Sequence, residues 1–135
     1  MNYVFYLKWP PSVNNYYAHT KRGVFIKAAG KRYREAAQAD IIEQGMRVGL
    51  DDRIMVKIVM YPPDARIRDL DNYTKCLLDA CTHAGVWEDD KQIDQLLLLR
   101  GQSVKYGSVM VSISDAGPLI PNENQIANAA INAML

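Results

Sequence analysis

At 135 residues and 15.3 kDa, the chain has room for one domain and none for a second of ordinary size. Its hydrophobic fraction of 49% and charged fraction of 23% are those of a globular protein, which excludes disordered and fibrous classes. Sixteen Lys and Arg residues against fifteen Asp and Glu residues give a formal charge of +1. Taken alone, this value argues against a strongly basic nucleic-acid-binding protein.

The charges are, however, unevenly distributed along the chain. Residues 1–34 carry seven basic side chains and no acid, whereas residues 69–94 carry seven acids and only two lysines. A basic region suits a polyanion, and a compact acidic cluster suits a divalent cation. The pattern therefore indicates metal-assisted chemistry on a phosphodiester, with a solvated, unevenly charged surface as the plainer alternative.

Several classes of segment are not found in the sequence. The N-terminal residues lack the features of a signal peptide, and no stretch approaches 18 consecutive apolar residues. Cys76 and Cys81 lie five residues apart, without a second pair at zinc spacing, so we predict that both are buried and reduced. We expect a cytoplasmic protein that does not insert into a membrane.

The first half of the chain shows three predicted elements. Aromatic-rich alternation predicts a strand over residues 3–9, and the polar residues 12–30 predict an irregular loop or a short hairpin. Apolar residues at helical spacing predict a helix from residue 31 to about 48, with its basic residues in the first turn. Because cations there oppose the helix dipole, their presence hints at a nearby anion.

The second half repeats this alternation of strand and helix. A strand is predicted over residues 54–61, a strongly amphipathic helix from Asp71 to a stop at Gly85, and two strands over residues 93–99 and 104–114. The order β-α-β-α-β-β predicts a single α+β domain with a mixed β-sheet and two main helices. We assign residues 1–115 to this domain and residues 116–135 to a tail, a linker followed by a short helix.

Two aspartates just before the second helix are the centre of the predicted site. If the chain is extended there, Asp69 and Asp71 project to the same side and offer two carboxylates to one point. Lys75 follows Asp71 by four residues, so its ammonium group would lie over the same face. The alternative is structural: one aspartate caps the helix, and Asp71 and Lys75 form a surface ion pair.

Further acids follow the same helix. Asp89 and Asp90 are adjacent carboxylates, which repel each other unless a cation offsets the repulsion. A helix of about 14 residues is about 21 Å long, so Asp90 reaches Asp69 and Asp71 only if the chain doubles back after Gly85. Three carboxylates with additional water ligands are typical of a magnesium site.

Four motifs occur one after another along the chain: Trp9-Pro10-Pro11-Ser12-x-Asn14, Arg68-Asp69-x-Asp71-Asn72-x-x-Lys75, Asp79-Ala80 and Gly85-x-Trp87-x-Asp89-Asp90. Their joint occurrence is far more specific than one Asp-x-Asp pair. In these motifs the chain resembles, over about residues 3–114, the RusA family of Holliday junction resolvases, small endodeoxyribonucleases that are often encoded by prophages.

The resemblance implies a fold, a cofactor and partners. It implies that Asp69, Asp71 and Asp90 bind Mg²⁺, for which Mn²⁺ can substitute, with Asp89 as a secondary candidate, and that Lys75 assists catalysis. It also implies a homodimer of α+β subunits that acts on four-way branched DNA without a small-molecule cofactor, because two matched cuts suit a two-fold symmetric junction.

Basic and aromatic residues of the N-terminal half and of the central loop are our candidates for DNA contacts. The candidates for phosphate contacts are Arg66, Arg68, Lys21, Arg22, Lys31 and Arg32, and those for stacking or backbone hydrogen bonds near the branch point are Asn14, Tyr16 and Tyr17. Only Arg68 and Asn14 lie inside the family motifs.

The predicted activity is Mg²⁺-dependent hydrolysis of DNA phosphodiesters, with paired symmetric nicks near the branch point of a Holliday junction. One alternative is a branched-DNA-binding protein without catalytic activity. Another is a metal-dependent phosphohydrolase acting on small molecules, which ranks lower because the chain has no Gly-rich phosphate-binding loop.

Overall fold

The computed structural model describes residues 1–134, and Leu135 lies outside the described part of the chain. The chain forms six strands, four α-helices and one 3-10 helix within these residues. In chain order they are β1 (Asn2–Leu7), α1 (Val13–Tyr16), β2 (Tyr17–Thr20), β3 (Gly23–Ile26), α2 (Ala28–Glu43), β4 (Ile54–Tyr61), α3 (Asp71–Ala84), a short 3-10 helix (Asp90–Gln92), β5 (Ile93–Arg100), β6 (Ser108–Asp115) and α4 (Glu123–Met134).

Four strands form one mixed sheet in the order β1-β6-β4-β5. The last strand, β6, lies between β1 and β4 and pairs antiparallel with both, whereas β5 pairs parallel with β4. Because parallel neighbours need a crossover, α3 carries the chain from the end of β4 back to the start of β5. The predicted α+β fold with a mixed sheet and two main helices is confirmed.

The hydrophobic core lies between one face of this sheet and the two long helices. Alternate residues of β4, among them Val56 and Ile58, are completely buried, as period-two strands with one covered face require. α2 contributes Tyr33, Ala37 and Ile41 at four-residue spacing. α3 adds its own buried stripe, which consists of Thr74, Cys76, Leu77, Ala80, Cys81 and Ala84. Both cysteines are buried and unbridged, as predicted.

The polar segment before α2 folds as a short helix and a hairpin, and the hairpin was one of its two predicted forms. Strands β2 and β3 pair antiparallel, with Lys21 and Arg22 at the turn. α2 begins at Ala28 rather than at Lys31, so Arg32 and Arg34 lie beyond its first turn. The prediction that these cations oppose the helix dipole, and therefore indicate a nearby anion, is wrong for those two arginines.

α2 also ends earlier than predicted, at Glu43 instead of near Val48. Gly45 has φ = +70°, a left-handed conformation that breaks the helix and that residues with a Cβ rarely adopt. The same device ends α3, where Gly85 has φ = +84° and turns the chain back toward the body of the domain. The predicted stop at Gly85 is confirmed.

The C-terminal tail extends beyond β6. α4 covers the predicted short helix, and all residues of α4 in the described part are exposed. The predicted tail ends at Leu135, which lies outside the described residues. Across residues 1–134, no helix combines the length and apolar character needed to cross a membrane.

Candidate active site

The first turn of α3 presents Asp71 to solvent. Leu70, the residue before the helix, has helical backbone angles (φ = −60°, ψ = −37°) and no side-chain cap. The extended Asp69-to-Asp71 segment predicted above is therefore wrong, because the chain already turns at Leu70. Asp71 lies at the positive end of the helix dipole, where a carboxylate is favoured.

Neither aspartate has the structural role considered as the alternative. Within residues 1–134, no ion pair involves Asp69 or Asp71, and Asp71 does not pair with Lys75. Both carboxylates belong to exposed residues. Because no partner holds them, they are accessible to a cation or to hydrogen-bond donors from a substrate.

One turn further along α3, a cavity of about 200 Å³ brings acidic and basic side chains together. Lys75, Asp79 and Thr82 share one face of the helix at i, i+4 and i+7. The left-handed turn at Gly85 and the backbone hydrogen bond from Leu50 N to Val86 O fold the chain back. The residues that line the cavity are Tyr17, Lys75, Asp79, Thr82, Asp89 and Asp90.

The doubling back on which the predicted site depended therefore occurs, but only part of that site assembles. Asp90 shares a cavity with Lys75, whereas Asp69 and Asp71 do not line it. In the described part of the chain, no three His, Cys, Asp or Glu side chains are close enough to form a ready-made metal site. The structure thus separates the predicted acids into Asp69 and Asp71 at the start of α3 and Asp89 and Asp90 in the cavity.

Asp79 is fixed by a bidentate ion pair from α2. Arg34 donates from Nε to Asp79 Oδ2 at 2.8 Å and from Nη2 to Asp79 Oδ1 at 2.9 Å, and the Tyr16 hydroxyl donates to the same carboxylate. Burial opposes the charged form of Asp79, but the hydrogen bonds from Arg34 and Tyr16 outweigh it and lower the pKa of that carboxyl. Asp79 is therefore held as a neutralised anion in the wall of the cavity.

Tyr16 does not have the role predicted for it. Its side chain is completely buried, and burial together with the bond to Asp79 raises the pKa of its hydroxyl well above the usual value. A buried ring cannot stack on a nucleobase, so the predicted DNA contact of Tyr16 is wrong. The neighbouring Tyr17 is half-buried and lines the cavity, where stacking remains a prediction.

Tyr17 and Lys75 form a cation–π pair. The Lys75 ammonium lies 5.1 Å from the centroid of the Tyr17 ring. Burial, followed by the nearby charge of Asp79, raises the pKa of the Tyr17 hydroxyl to about 12, so the ring stays neutral at physiological pH. The neutral aromatic face therefore orients the Lys75 ammonium without neutralising its charge.

Asp89 and Asp90 differ in what holds them. The Asp89 carboxylate caps the 3-10 helix by accepting from Lys91 N at 2.9 Å, and Gln92 Oε1 accepts from Asp89 N at 2.8 Å. The hydrogen bond from Lys91 lowers the pKa of Asp89. Burial and the neighbouring Asp89 raise the pKa of Asp90. Asp89 thus has a structural role, whereas Asp90 is exposed at the cavity.

The loop that leads to Asp69 carries two arginines of different accessibility. Arg68 donates to Asp64 at 2.7 Å, its side chain is only 9% exposed, and its guanidinium lies 5.8 Å from the centroid of the Trp9 ring. The Arg66 side chain is 80% exposed. Of the two predicted phosphate contacts, Arg66 is the one that faces solvent.

The remaining predicted DNA contacts lie on the surface. Lys21 and Arg22 project from the turn between β2 and β3, and Lys31 and Arg32 lie on the exposed side of α2. Asn14 is exposed in α1, and its carbonyl accepts from Lys27 Nζ at 2.8 Å. These residues surround the hairpin and α2 rather than the cavity, which suits contacts along a DNA backbone.

The role of Arg34 is not predictable from the sequence, and Asp79 is predicted only as part of a motif. A signal for Asp79 was present, because Lys75, Asp79 and Thr82 share the face of α3 opposite its apolar stripe. Arg34 carried no such signal, since its partner lies 45 residues away on another helix.

Comparisons with known proteins give one result. The family model described as Endodeoxyribonuclease RusA matches residues 8–114. The crossover junction endodeoxyribonuclease of Enterobacteria phage HK97 is 36% identical over 113 residues, covering 84% of this chain and 94% of its own. The crossover junction endodeoxyribonuclease of Escherichia coli K12 is 35% identical over 111 residues, covering 82% and 92% of the two chains. The similarity covers all of the cavity and leaves out α4.

Proposed function

Because the chain belongs to the RusA family of endodeoxyribonucleases, we propose that it resolves Holliday junctions by paired, symmetric nicks near the branch point. The reaction is hydrolysis of a DNA phosphodiester in each of two strands. The observation that carries the proposal is the cavity in which Lys75 lies among carboxylates, one turn along α3 from the loop that carries Arg66.

In this proposal, a divalent cation activates the water that is the nucleophile. Mg²⁺, or Mn²⁺ in its place, bound by Asp69, Asp71 and Asp90 would lower the pKa of a water and offset charge on the phosphate. The exposed carboxylates of Asp69 and Asp71 are hard oxygen ligands of the required type. Mg²⁺ is commonly bound by one or two carboxylates together with substrate phosphates, so the lack of a ready-made three-ligand cluster within residues 1–134 is compatible with binding in the DNA complex.

Lys75 and the charges around it perform the protein's own part of the chemistry. Its ammonium group, oriented by the Tyr17 ring, would stabilise negative charge that develops on the phosphoryl oxygens. Asp79 is already neutralised by Arg34, so it does not compete with the phosphate for that ammonium. The cavity thus keeps the Lys75 ammonium available beside the Asp90 carboxylate, which forms no ion pair within residues 1–134.

The DNA-binding surface would consist of exposed basic groups on the central loop, the hairpin and α2. Arg66 precedes Asp69 by three residues, and the basic turn of the hairpin and the exposed side of α2 offer further cations to phosphates. Asn14 and Tyr17 add polar and aromatic contacts near the branch point. Both cysteines are free and buried, which suits action on DNA in the reducing cytoplasm.

A homodimer would give the two-fold symmetric junction two matched active sites. Support comes from β5, which lies at the edge of the sheet with its outer backbone edge unpaired in the four-strand order. Leu96, Leu97 and Leu99 of this strand are 42%, 42% and 39% exposed. Long apolar edge strands are sites of strand pairing, and a second copy of this strand would pair with it symmetrically.

The test is incubation with a synthetic four-way junction and with a linear duplex of the same sequence, each with and without Mg²⁺. We expect paired nicks near the branch point of the junction, only with Mg²⁺, and no cutting of the linear duplex. Junction binding without cutting would instead establish a non-catalytic branched-DNA-binding protein. Turnover of small phosphate esters without junction cutting would establish a phosphohydrolase.

A further inference from the structure

A second, larger cavity is lined by the loop that carries Arg66 and Arg68. Its volume is about 460 Å³, which is in the range of small-molecule binding sites. Aromatic, polar and cationic side chains line it together, although the chemistry proposed above uses only its arginines. The lining residues that matter here are Trp9, Ser12, Asn15, Arg66, Ile67 and Tyr73.

The aromatic part of this cavity is held in a fixed position. The rings of Trp9 and Tyr73 lie 5.0 Å apart at an angle of 57°, an arrangement that leaves the two rings inclined to each other. Gly107 lies against Trp9. A Cβ added at Gly107 would come within 2.8 Å of Trp9 Cβ. A larger residue at that position would displace Trp9, so the glycine is what allows the indole to lie this close to the backbone.

The charged part of the cavity faces both the aromatic ring and the solvent. Arg68 lies 5.8 Å from the centroid of Trp9 and is neutralised by Asp64, which both arginines contact. The Arg66 side chain remains 80% exposed at the rim. Two guanidinium groups against one carboxylate leave a net positive charge at the mouth, next to an indole ring.

Ile67 gives the rim an unusual apolar element. Its side chain is 99% exposed between two arginines, so it contributes nothing to the core. An exposed apolar side chain offers contact area to a base and none to a hydrated ion. Aromatic ring, positive charge and apolar rim together match a nucleotide, which has an apolar stacking face and a phosphate.

The position of the cavity indicates which nucleotide it can take. Arg68 directly precedes Asp69, and Tyr73 follows Asp71 by two residues on α3, so the cavity adjoins the acids proposed to act on the scissile phosphate. A base inside an intact duplex is stacked on both sides and cannot enter a concave site, whereas bases at a branch point lose part of their stacking. We propose that this cavity binds one unstacked nucleotide of the branched DNA, with its base against Trp9 and its phosphate near Arg66. The inference rests on the proposed function. It explains how the protein would distinguish a junction from a linear duplex.

The wild-type protein allows a direct test through tryptophan fluorescence. The chain has two tryptophans, and Trp87 is completely buried, so acrylamide quenching reports mainly on Trp9. Quenching is measured with EDTA for the free protein, the protein with a four-way junction and the protein with a linear duplex, with binding followed separately by gel mobility. We expect the junction to protect Trp9 from quenching. At equal occupancy, the linear duplex should protect Trp9 much less.

Variants at Trp9 separate the base contact from folding. Trp9→Leu should lower the affinity for the junction about tenfold and the affinity for linear duplex little, whereas Trp9→Phe keeps a stacking surface and should retain most of the preference. Urea unfolding of both variants shows whether the fold is kept, and the quenching experiment stands without any substitution.

The outcomes distinguish this inference from the proposed function. A junction that is bound and cut while acrylamide quenches Trp9 as strongly as in the free protein overturns the nucleotide subsite and leaves the nuclease intact. Protection of Trp9 by branched DNA that is never cut with Mg²⁺ supports the subsite and overturns the catalytic proposal. Equal protection by junction and linear duplex would also overturn the subsite, because protection of Trp9 would then not require an unstacked base.

Discussion

Arg34 on α2 holds Asp79 on α3 through two parallel hydrogen bonds of 2.8 and 2.9 Å. The pair joins the two helices that cover the sheet, and only about a quarter of each side chain is exposed. It therefore has two consequences, one for stability and one for the charge in the cavity beside Lys75.

Removing the guanidinium should destabilise the protein. Arg34→Ala leaves a partly buried carboxylate without its main donor, and we expect a loss of about 1 to 3 kcal/mol in the free energy of unfolding. Arg34→Lys keeps the charge but loses the planar bidentate geometry, so its loss should be smaller. Urea denaturation measures both variants, and equal stability of Arg34→Ala and the wild type would show that the pair contributes nothing.

The same pair predicts how stability depends on acid. The folded state lowers the pKa of Asp79, so its contribution is present above the unfolded-state pKa, about 3.9, and is lost as pH falls through the lower folded value. Asp79→Asn removes the titrating group. We expect the decline of the variant's unfolding free energy below about pH 4 to be shallower than that of the wild type. Parallel pH profiles for the two proteins would contradict the assignment.

Local patterns in the sequence predict the elements better than their arrangement. Alternation in β4 and the helical stripe of α3 depend on burial of one face, which local spacing records directly. The insertion of β6 between β1 and β4 depends on pairing across the whole chain, for which no local pattern exists. The site follows the same rule: Lys75 and Asp79 share a helix face that spacing reveals, and the partner of Asp79 on another helix is visible only after folding.

Asp71 should be required for cutting and not for binding. Asp71→Asn removes a carboxylate that no ion pair holds within residues 1–134, so the fold should be unaffected while junction cleavage falls by at least about a hundredfold. Asp51→Asn, at an exposed position in the loop before β4, is the matched control and should cut normally. Gel-shift and cleavage assays on one junction measure both properties. Full cleavage by the Asp71 variant would remove it from the active site.

Tyr17 should act through its ring rather than its hydroxyl. Tyr17→Phe keeps the aromatic face over the Lys75 ammonium and should retain most of the cleavage rate, whereas Tyr17→Leu loses about 0.5 to 2 kcal/mol of cation–π attraction and should slow cleavage severalfold. Lys75→Ala should lose activity in either background, so a double-mutant cycle isolates the coupling. If Tyr17→Leu slows cleavage equally with and without Lys75, the ring does not position the lysine.

The unpaired edge of β5 should hold the two subunits together. Leu97 is 42% exposed on this strand, and Leu97→Lys places a charge where a second β5 would pair, so we expect the variant to sediment as a monomer. Val4→Lys is the matched control, because Val4 is 55% exposed on β1, at the opposite edge of the sheet, and its replacement should leave the dimer intact. Analytical ultracentrifugation gives the mass of each protein, and junction cleavage then shows whether paired nicks depend on association. A Leu97→Lys protein that sediments as the wild-type dimer would move the interface away from β5, while a wild-type monomer that still made paired nicks would contradict the dimer itself.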